Sequence, residues 1–222
     1  MDRPALVIMS RVPSPEGKSR LSGILTPEQR ELLQWAFLLD MLDKVRTVRG
    51  AAAFIAAAPA DRLEELRRAV GGKAEVVLQP AGDLGGRMLA VSRHIFNLGY
   101  SPVVLIGADV PALPPACLSR AIELLGRYQM VFGPSPDGGY YLAGARHPEE
   151  RIFKDIDWGS GSVLEKTLAV CKRCGLTWCL LEPLEDVDRP ADLLELAGRV
   201  KRGQFAPGAE PFRTIKFIKE NF

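Results

Sequence analysis

Apolar runs alternate with amphipathic stretches through most of the chain. ALVIMS (residues 5–10) has the unbroken apolar character of a buried strand. AAAFIAAA (51–58), AEVVLQ (74–79) and PVVLIGAD (102–109) repeat it. Between these runs the apolar positions fall at helical spacing: LLQWAFLLDMLDKV, DRLEELRRAV, residues 86–98 and PACLSRAIELLGR. Thr26-Pro27-Glu28-Gln29 opens the first helix with a capping box and a proline at its first position. Strands alternating with helices of this length predict βαβ crossovers. The fold class is therefore α/β, a Rossmann-like and mostly parallel sheet with helices on both faces. The second half is less regular. MVFGP and YYLAGA read as strands around a PDGG turn, and Ser162 to Glu165 forms a second capping box. LTWCLLE and the helix ADLLELAGRVKRG complete a single domain over residues 1–205. Residues 206–222 are expected to form an extended or short helical arm.

Composition narrows the function classes. The 222 residues are 47% hydrophobic and 25% charged, the balance of a globular chain. A net charge of only +2 argues against a nucleic-acid surface. The apolar runs are too short to span a bilayer or to act as a signal segment, so a cytoplasmic protein is expected. Cys171 and Cys174 form C-x-x-C with Cys179 following, but no fourth ligand stands at zinc spacing, and ordinary reduced thiols are the reading.

Ligands of open parallel sheets bind outside the carboxyl ends of the strands, and three polar segments fall there. Arg11, Lys18 and Arg20 follow the first strand. Gly82, Asp83, Gly85 and Arg87 follow the third, and Asp109 ends the fourth. Gly17-Lys18-Ser19 resembles half of a P-loop. Val12 stands where that loop needs its first glycine, however, and Pro13 and Pro15 remove backbone donors. No G-x-G-x-x-G follows the first strand, which disfavours a dinucleotide fold. Lys18 and Arg20 read as phosphate ligands or as a solvated loop face, and the glycines as close-approach positions or turn punctuation. Asp109 reads as a ligand for a hard cation such as Mg2+, or as a turn cap.

The segments RVPSPEGKSRL, GDLGGRM, LIGADVPAL, GPSPDGGYYLAG, IDWGSGSVLEKTL and LEDVDRPADL, spread over roughly residues 5–200, carry a resemblance. The chain resembles the nucleotide-diphospho-sugar transferase superfamily, with a glycosyltransferase A type fold. It is more closely similar to a bacterial family labelled as glycosyltransferases and related to 2-phospho-lactate guanylyltransferase. The resemblance implies Mg2+ (or Mn2+) held by Asp109 and Asp188, with Asp186 a close competitor and a helix cap the other reading of Asp188. It places Asp137, Gly138, Gly139, Tyr140 and Trp158 beside a sugar or acceptor, although Asp137-Gly138-Gly139 also suits a plain hairpin turn. Lys18 and Asp109 are then the catalytic candidates, and Arg11, Arg20, Gly82, Asp83, Gly85 and Arg87 join Lys18 at the nucleotide. The chain lacks the G-G-x-G-x-R loop of sugar-nucleotide synthetases and the D-x-D of many glycosyltransferases. The implied partners are a nucleotide or nucleotide-sugar and a small-molecule acceptor, and a homodimer is left open. Sugar transfer from a nucleotide-diphospho-sugar is the first expectation. Nucleotidyl transfer from a nucleoside triphosphate to a phosphorylated small molecule is the second, and a non-catalytic nucleotide-binding module the third.

Overall fold

The computed structural model describes residues 3–154 and 156–222. Its first half repeats strand and helix: β1 (Ala5–Arg11), α1 (Pro27–Thr47), β2 (Ala52–Ala58), α2 (Leu63–Val70), β3 (Glu75–Leu78), α3 (Leu84–Asn97), β4 (Val103–Gly107) and α4 (Pro115–Leu125). The second half adds β5 (Met130–Pro134), β6 (Tyr140–Ala145), α5 (Val163–Arg173), β7 (Trp178–Leu180), α6 (Pro190–Arg202) and α7 (Phe212–Asn221). One seven-stranded sheet runs in the order β3-β2-β1-β4-β6-β5-β7. Only β6 is antiparallel to its neighbours, because the short Asp137-Gly138-Gly139 turn folds it straight back on β5.

Alternation along each strand divides the core in two. Leu6 and Ile8 face the side covered by α1, α2 and α4, with Ile55, Val104 and Ile106 beside them. Ala5 and Val7 face α3 and α5, with Phe54, Val103 and Leu105 alongside. Both faces of the sheet are therefore covered, which is why its strands read as nearly continuous apolar runs. All four cysteines are free thiols, and burial pushes the Cys171 thiol up to about 11. No helix among the described residues is long and apolar enough to cross a membrane.

Local chemistry sets the helix ends. Thr26 Oγ1 accepts from the Gln29 amide at 3.2 Å and Gln29 Oε1 from the Thr26 amide at 2.9 Å, which completes the box on α1. The second box does not form. The Ser162 side chain makes no bond to the start of α5, and its Oγ lies 3.2 Å from Ser160 Oγ instead. The third helix begins at Leu84 rather than at residue 86, because the Asp83 carboxylate caps it by accepting from the Gly86 amide at 2.7 Å. The tail is helical as α7, and α1 holds it. Buried Asp40 accepts from the Arg213 and Thr214 amides at 3.0 and 2.9 Å and so satisfies orphan donors of the first turn. Phe217 and Ile218 then pack with Leu33, Phe37, Leu193 and Leu196 in a third apolar cluster.

The order of the strands positions the site. From β1 the chain crosses outward to β2 and β3, then returns to lay β4 on the other side of β1. The connections that follow β1 and β4 therefore run toward opposite edges of the sheet, and a crevice opens where they part. Lys44 on α1 braces that rim by donating to the carbonyls of Pro111 and, at 2.7 Å, Ala209.

Candidate active site

In the loop after β1 the Gly17 amide donates to Ser14 O at 3.0 Å, and α1 supplies side-chain donors to that carbonyl and two others. Arg30 donates from Nη2 to Pro15 O at 2.7 Å and from Nε to Gly17 O at 3.1 Å, while Gln34 Nε2 donates to Ser14 O at 2.7 Å. Held this way, the chain turns at Lys18 into the left-handed region (φ 47°), rare for a residue with a side chain. The Lys18 side chain is directed back over the rim, where only 8% of it is exposed.

Its ammonium has three donors and meets three acceptors. Lys18 Nζ lies 2.8 Å from Asp109 Oδ2, 2.8 Å from Asp188 Oδ1 and 2.8 Å from Val187 O. The two carboxylates, far apart in sequence, are thus no further from one another than twice that distance. The Val187 amide donates to Asp109 O at 2.9 Å and ties the two segments together. Asp188 Oδ2 receives Arg20 Nη1 at 2.5 Å. Asp188 is not the cap of α6; Asp192 fills that role by accepting from the amides of Asp188 and Arg189 at 3.0 and 2.7 Å.

Charge placement decides the protonation states. Burial works to lower the Lys18 pKa, but Asp109 and Asp188 outweigh it and hold the lysine above its ordinary value. Burial likewise works to raise Asp188, and Lys18 with Arg20 overrides it to leave a firmly ionised carboxylate. Asp186 behaves oppositely. Burial raises it, and the neighbouring Asp137 and Asp188 carboxylates add to the shift.

Two cavities meet at this cluster. One, about 680 Å³, is walled by Arg11, Lys18, Arg20 and Arg87 against Asp109 and Asp188. Its cationic excess suits a polyphosphate. The other, about 750 Å³, has Leu84, Met88, Tyr140 and Trp158 along its walls and Asp137, Asp186 and Arg189 among its charged residues. Arg20 and Asp109 line both. The geometry therefore allows one group held in each cavity to react at a shared boundary.

Not every residue singled out in the sequence lines these spaces. Gly82, Asp83 and Gly85 line neither cavity. Asp83 caps α3, and Gly85 leaves room for Trp158, whose Nε1 would lie 2.2 Å from a Cβ there. Gly138 is also structural. Its φ is 88°, and a Cβ would meet the Gly161 carbonyl at 1.9 Å, so the turn before β6 packs directly on the WGSG loop. Asp137 and Gly139 do line the larger cavity. Tyr140 and Trp158 line it too, but they are packed edge to face at 6.2 Å, and Trp158 also stacks on Phe153 at 6.5 Å. They form walls before they could serve as platforms. Among the described residues no group of three or more His, Cys, Asp or Glu converges as a metal site.

Several contributors escaped the sequence reading. Arg30 and Gln34 were recoverable, since two polar residues four apart interrupt the inner face of an otherwise apolar helix. Gln79, buried, donates to Ser10 O and Ala56 O at 2.6 Å each and holds the ends of β1 and β2 at the rim. Arg189 had no signal beyond its place next to Asp188.

The chain is similar to known proteins. A 3-phospho-D-glycerate guanylyltransferase of Phenylobacterium zucineum is 29% identical over 186 residues, covering 81% of this chain and 84% of that protein. A 2-phospho-L-lactate guanylyltransferase of Haloferax volcanii is 28% identical over 182 residues, covering 81% and 78%. A crystal structure from Desulfovibrio desulfuricans G20, described as a nucleotide-diphospho-sugar transferase, superposes with a TM-score of 0.87 at 28% identity over 100% of this chain and 99% of that one. The fold is that of the nucleotidyl- and nucleotide-diphospho-sugar transferases, and the protein is a transferase. Residues 41–160, more than half of the chain, match the family described as an uncharacterized protein conserved in bacteria, and the chain belongs to that family, DUF2064.

Proposed function

We propose that the protein is a nucleotidyltransferase, which joins a nucleoside monophosphate from a nucleoside triphosphate to the phosphate of a small phosphorylated molecule. An acceptor phosphate oxygen attacks the α-phosphorus, the α–β bridging P–O bond breaks, and pyrophosphate leaves. The product carries a diphosphate linkage. The observation that carries this reading is the cationic cavity of Lys18 and Asp188 adjoining a second, larger cavity along Arg20 and Asp109. The guanylyltransferase names of the Phenylobacterium and Haloferax relatives support it and make GTP the first donor to test.

In this account Lys18 and Arg20 leave their carboxylate partners in part to meet the triphosphate, with Arg11 and Arg87 beside them. Lys18 remains protonated throughout, because its surroundings favour the ammonium. It can therefore offset the charge that accumulates on departing pyrophosphate. Arg20, on the boundary between the cavities, is placed to orient the attacking phosphate against the α-phosphorus.

A divalent cation fits the donor set. Asp109 has a part-exposed carboxylate at the junction, with one oxygen on Lys18 and the other outside any ion pair among the described residues. Hard cations such as Mg2+ take one or two carboxylates and fill the remaining positions with phosphate oxygens and water. Asp109 and Asp188 would hold Mg2+ or Mn2+, which when bound polarises phosphate oxygens as a Lewis acid.

Sugar transfer, the first expectation from the sequence, is the second reading here, favoured by the description of the Desulfovibrio structure. The two reactions release different products. Incubation with Mg2+, GTP or another nucleoside triphosphate and a panel of phosphorylated acceptors should give acceptor-dependent pyrophosphate. Release of nucleoside diphosphate from a nucleotide sugar, with no pyrophosphate from triphosphates, would favour sugar transfer.

A further inference from the structure

The helix α1 supports more than the Lys18 loop. Lys44, near its far end, is buried, and its ammonium reaches two segments remote from it in sequence. Nζ donates to Pro111 O, two residues beyond Asp109, and to Ala209 O at 2.7 Å, in the connection from α6 to α7. Burial pushes this ammonium down to about 8; Asp40 and Glu210 oppose that shift, and Arg199 adds to it. A buried ammonium on neutral carbonyls is costly, and an apolar side chain of similar volume often serves a fold as well or better. What the lysine adds is a directional hold on two pieces of backbone at once.

That hold acts on the Asp109 segment. Three consecutive carbonyls there are fixed by three different donors: Asp109 O by the Val187 amide at 2.9 Å, Val110 O by the Leu113 amide at 3.0 Å, and Pro111 O by Lys44. Pro111 has no amide of its own to anchor it. The other acceptor of Lys44 is fixed as well. Ala209 is fully buried, and Asp40, one helical turn before Lys44, holds the start of α7 through the Arg213 and Thr214 amides and Thr214 Oγ1. We infer that Lys44 is a positioning residue for Asp109, and that the C-terminal arm, through Ala209, belongs to the apparatus that sets the reactive geometry. This rests on the nucleotidyl-transfer reading only for what Asp109 does. Lys44 lines neither cavity, so its effect reaches the chemistry through the Asp109 backbone rather than through a ligand.

Lys44→Met keeps an unbranched side chain and removes the ammonium. With GTP and the most active acceptor of the phosphorylated panel, kcat should fall about tenfold while the KM for GTP stays within about twofold, because Arg11, Lys18, Arg20 and Arg87 are untouched. Hydrogen exchange of the full chain gives a readout independent of turnover. The Val187 amide, held on Asp109 O, should exchange at least about tenfold faster in the variant, while the Gln79 amide, held on Ala57 O elsewhere on the rim, keeps its wild-type rate. Asp40→Asn leaves Lys44 in place and loosens α7. It should speed Val187 exchange by a smaller factor, and it carries the test if Lys44→Met folds poorly. Equal acceleration at Val187 and Gln79, a Val187 rate unchanged in either folded variant, or a Lys44→Met kcat within about twofold of wild type would overturn the inference. Absence of pyrophosphate with every acceptor would remove nucleotidyl transfer and leave the exchange measurement to decide the role of Lys44.

Discussion

The two cavities share a boundary and are built by different means. The smaller is an electrostatic lattice: Lys18 bridges Asp109 and Asp188, Arg20 adds to Asp188, and α1 pins the loop through Arg30 and Gln34. The larger is assembled from glycines and rings, with Gly138 under Gly161 and Gly85 under Trp158, and its carboxylates Asp137 and Asp186 stand outside any ion pair among the described residues. The contrast teaches that adjoining halves of one site can be held by charge pairing on one side and by close packing on the other. Charges on the first side are mutually satisfied and preorganised for phosphate. On the second side burial first, and then the neighbouring Asp137 and Asp188 carboxylates, raise the Asp186 carboxyl.

The largest effect should come from breaking the lattice. Asp109→Asn is expected to lower kcat/KM on the order of a hundredfold, about 3 kcal/mol of transition-state stabilisation. Asp188→Asn should do the same, and the double variant should lose less than the product of the two, because both carboxylates position the same lysine and phosphate. Steady-state kinetics of the cycle decides this; fully multiplicative losses would mean that the two act independently. Lys18→Ala should weaken GTP binding about tenfold by calorimetry while the chain stays folded.

Breaking the glycine-built side should affect stability first. Gly138→Ala forces a Cβ onto the Gly161 carbonyl at a positive φ, so thermal unfolding should report a loss of about 3 kcal/mol. A melting temperature equal to wild type would mean that the turn does not pack on the WGSG loop.

Two aspartates two residues apart sharpen the comparison with smaller effects of opposite sign. The folded pKa of Asp188 lies below its unfolded value, so its contribution is present above the unfolded value and is lost as pH falls through the folded one. Asp186 is raised, so its cost is absent below the unfolded value and grows as pH rises through the folded one. At pH 7, Asp188→Asn should destabilise and Asp186→Asn should stabilise, each within about 1 kcal/mol for partly exposed groups. Denaturant titrations at pH 7 and at pH 3 check the signs, and equal shifts for the two variants would contradict the assignment of paired and unpaired roles. The smallest signal is optical. Trp158 lines the larger cavity, so its fluorescence should change when an acceptor binds, and Trp158→Phe should abolish that change despite emission from Trp35 and Trp178.

Much of the fold was legible because both faces of the sheet are buried, which makes β1, β2 and β4 read as apolar runs, and because helices such as α1 begin with local capping signals. The tail was legible only as one of two forms, extended or short helical, since the cap of α7 is Asp40, more than 170 residues away in sequence. Ser162 and Glu165 have the right letters for a box, yet the Ser162 side chain makes no capping bond. At the site, convergence of Lys18 and Asp109 followed from their positions after adjacent strands, whereas Asp188 came through resemblance alone. The Gly82–Gly85 segment carries a readable structural signal as well: Asp83 precedes LGGRMLAV as a helix cap should. Arg189 and the unpaired state of Asp186 depend on three-dimensional neighbours and leave no local trace.

The most direct test of nucleotidyl transfer at this junction is 31P NMR of the wild-type protein with Mg2+, GTP and a phosphomonoester acceptor. Paired diphosphate resonances from a new P–O–P linkage are expected, growing in step with free pyrophosphate and absent when either substrate is omitted. No new linkage with GTP, together with nucleoside diphosphate appearing from a nucleotide sugar and an acceptor, would contradict nucleotidyl transfer.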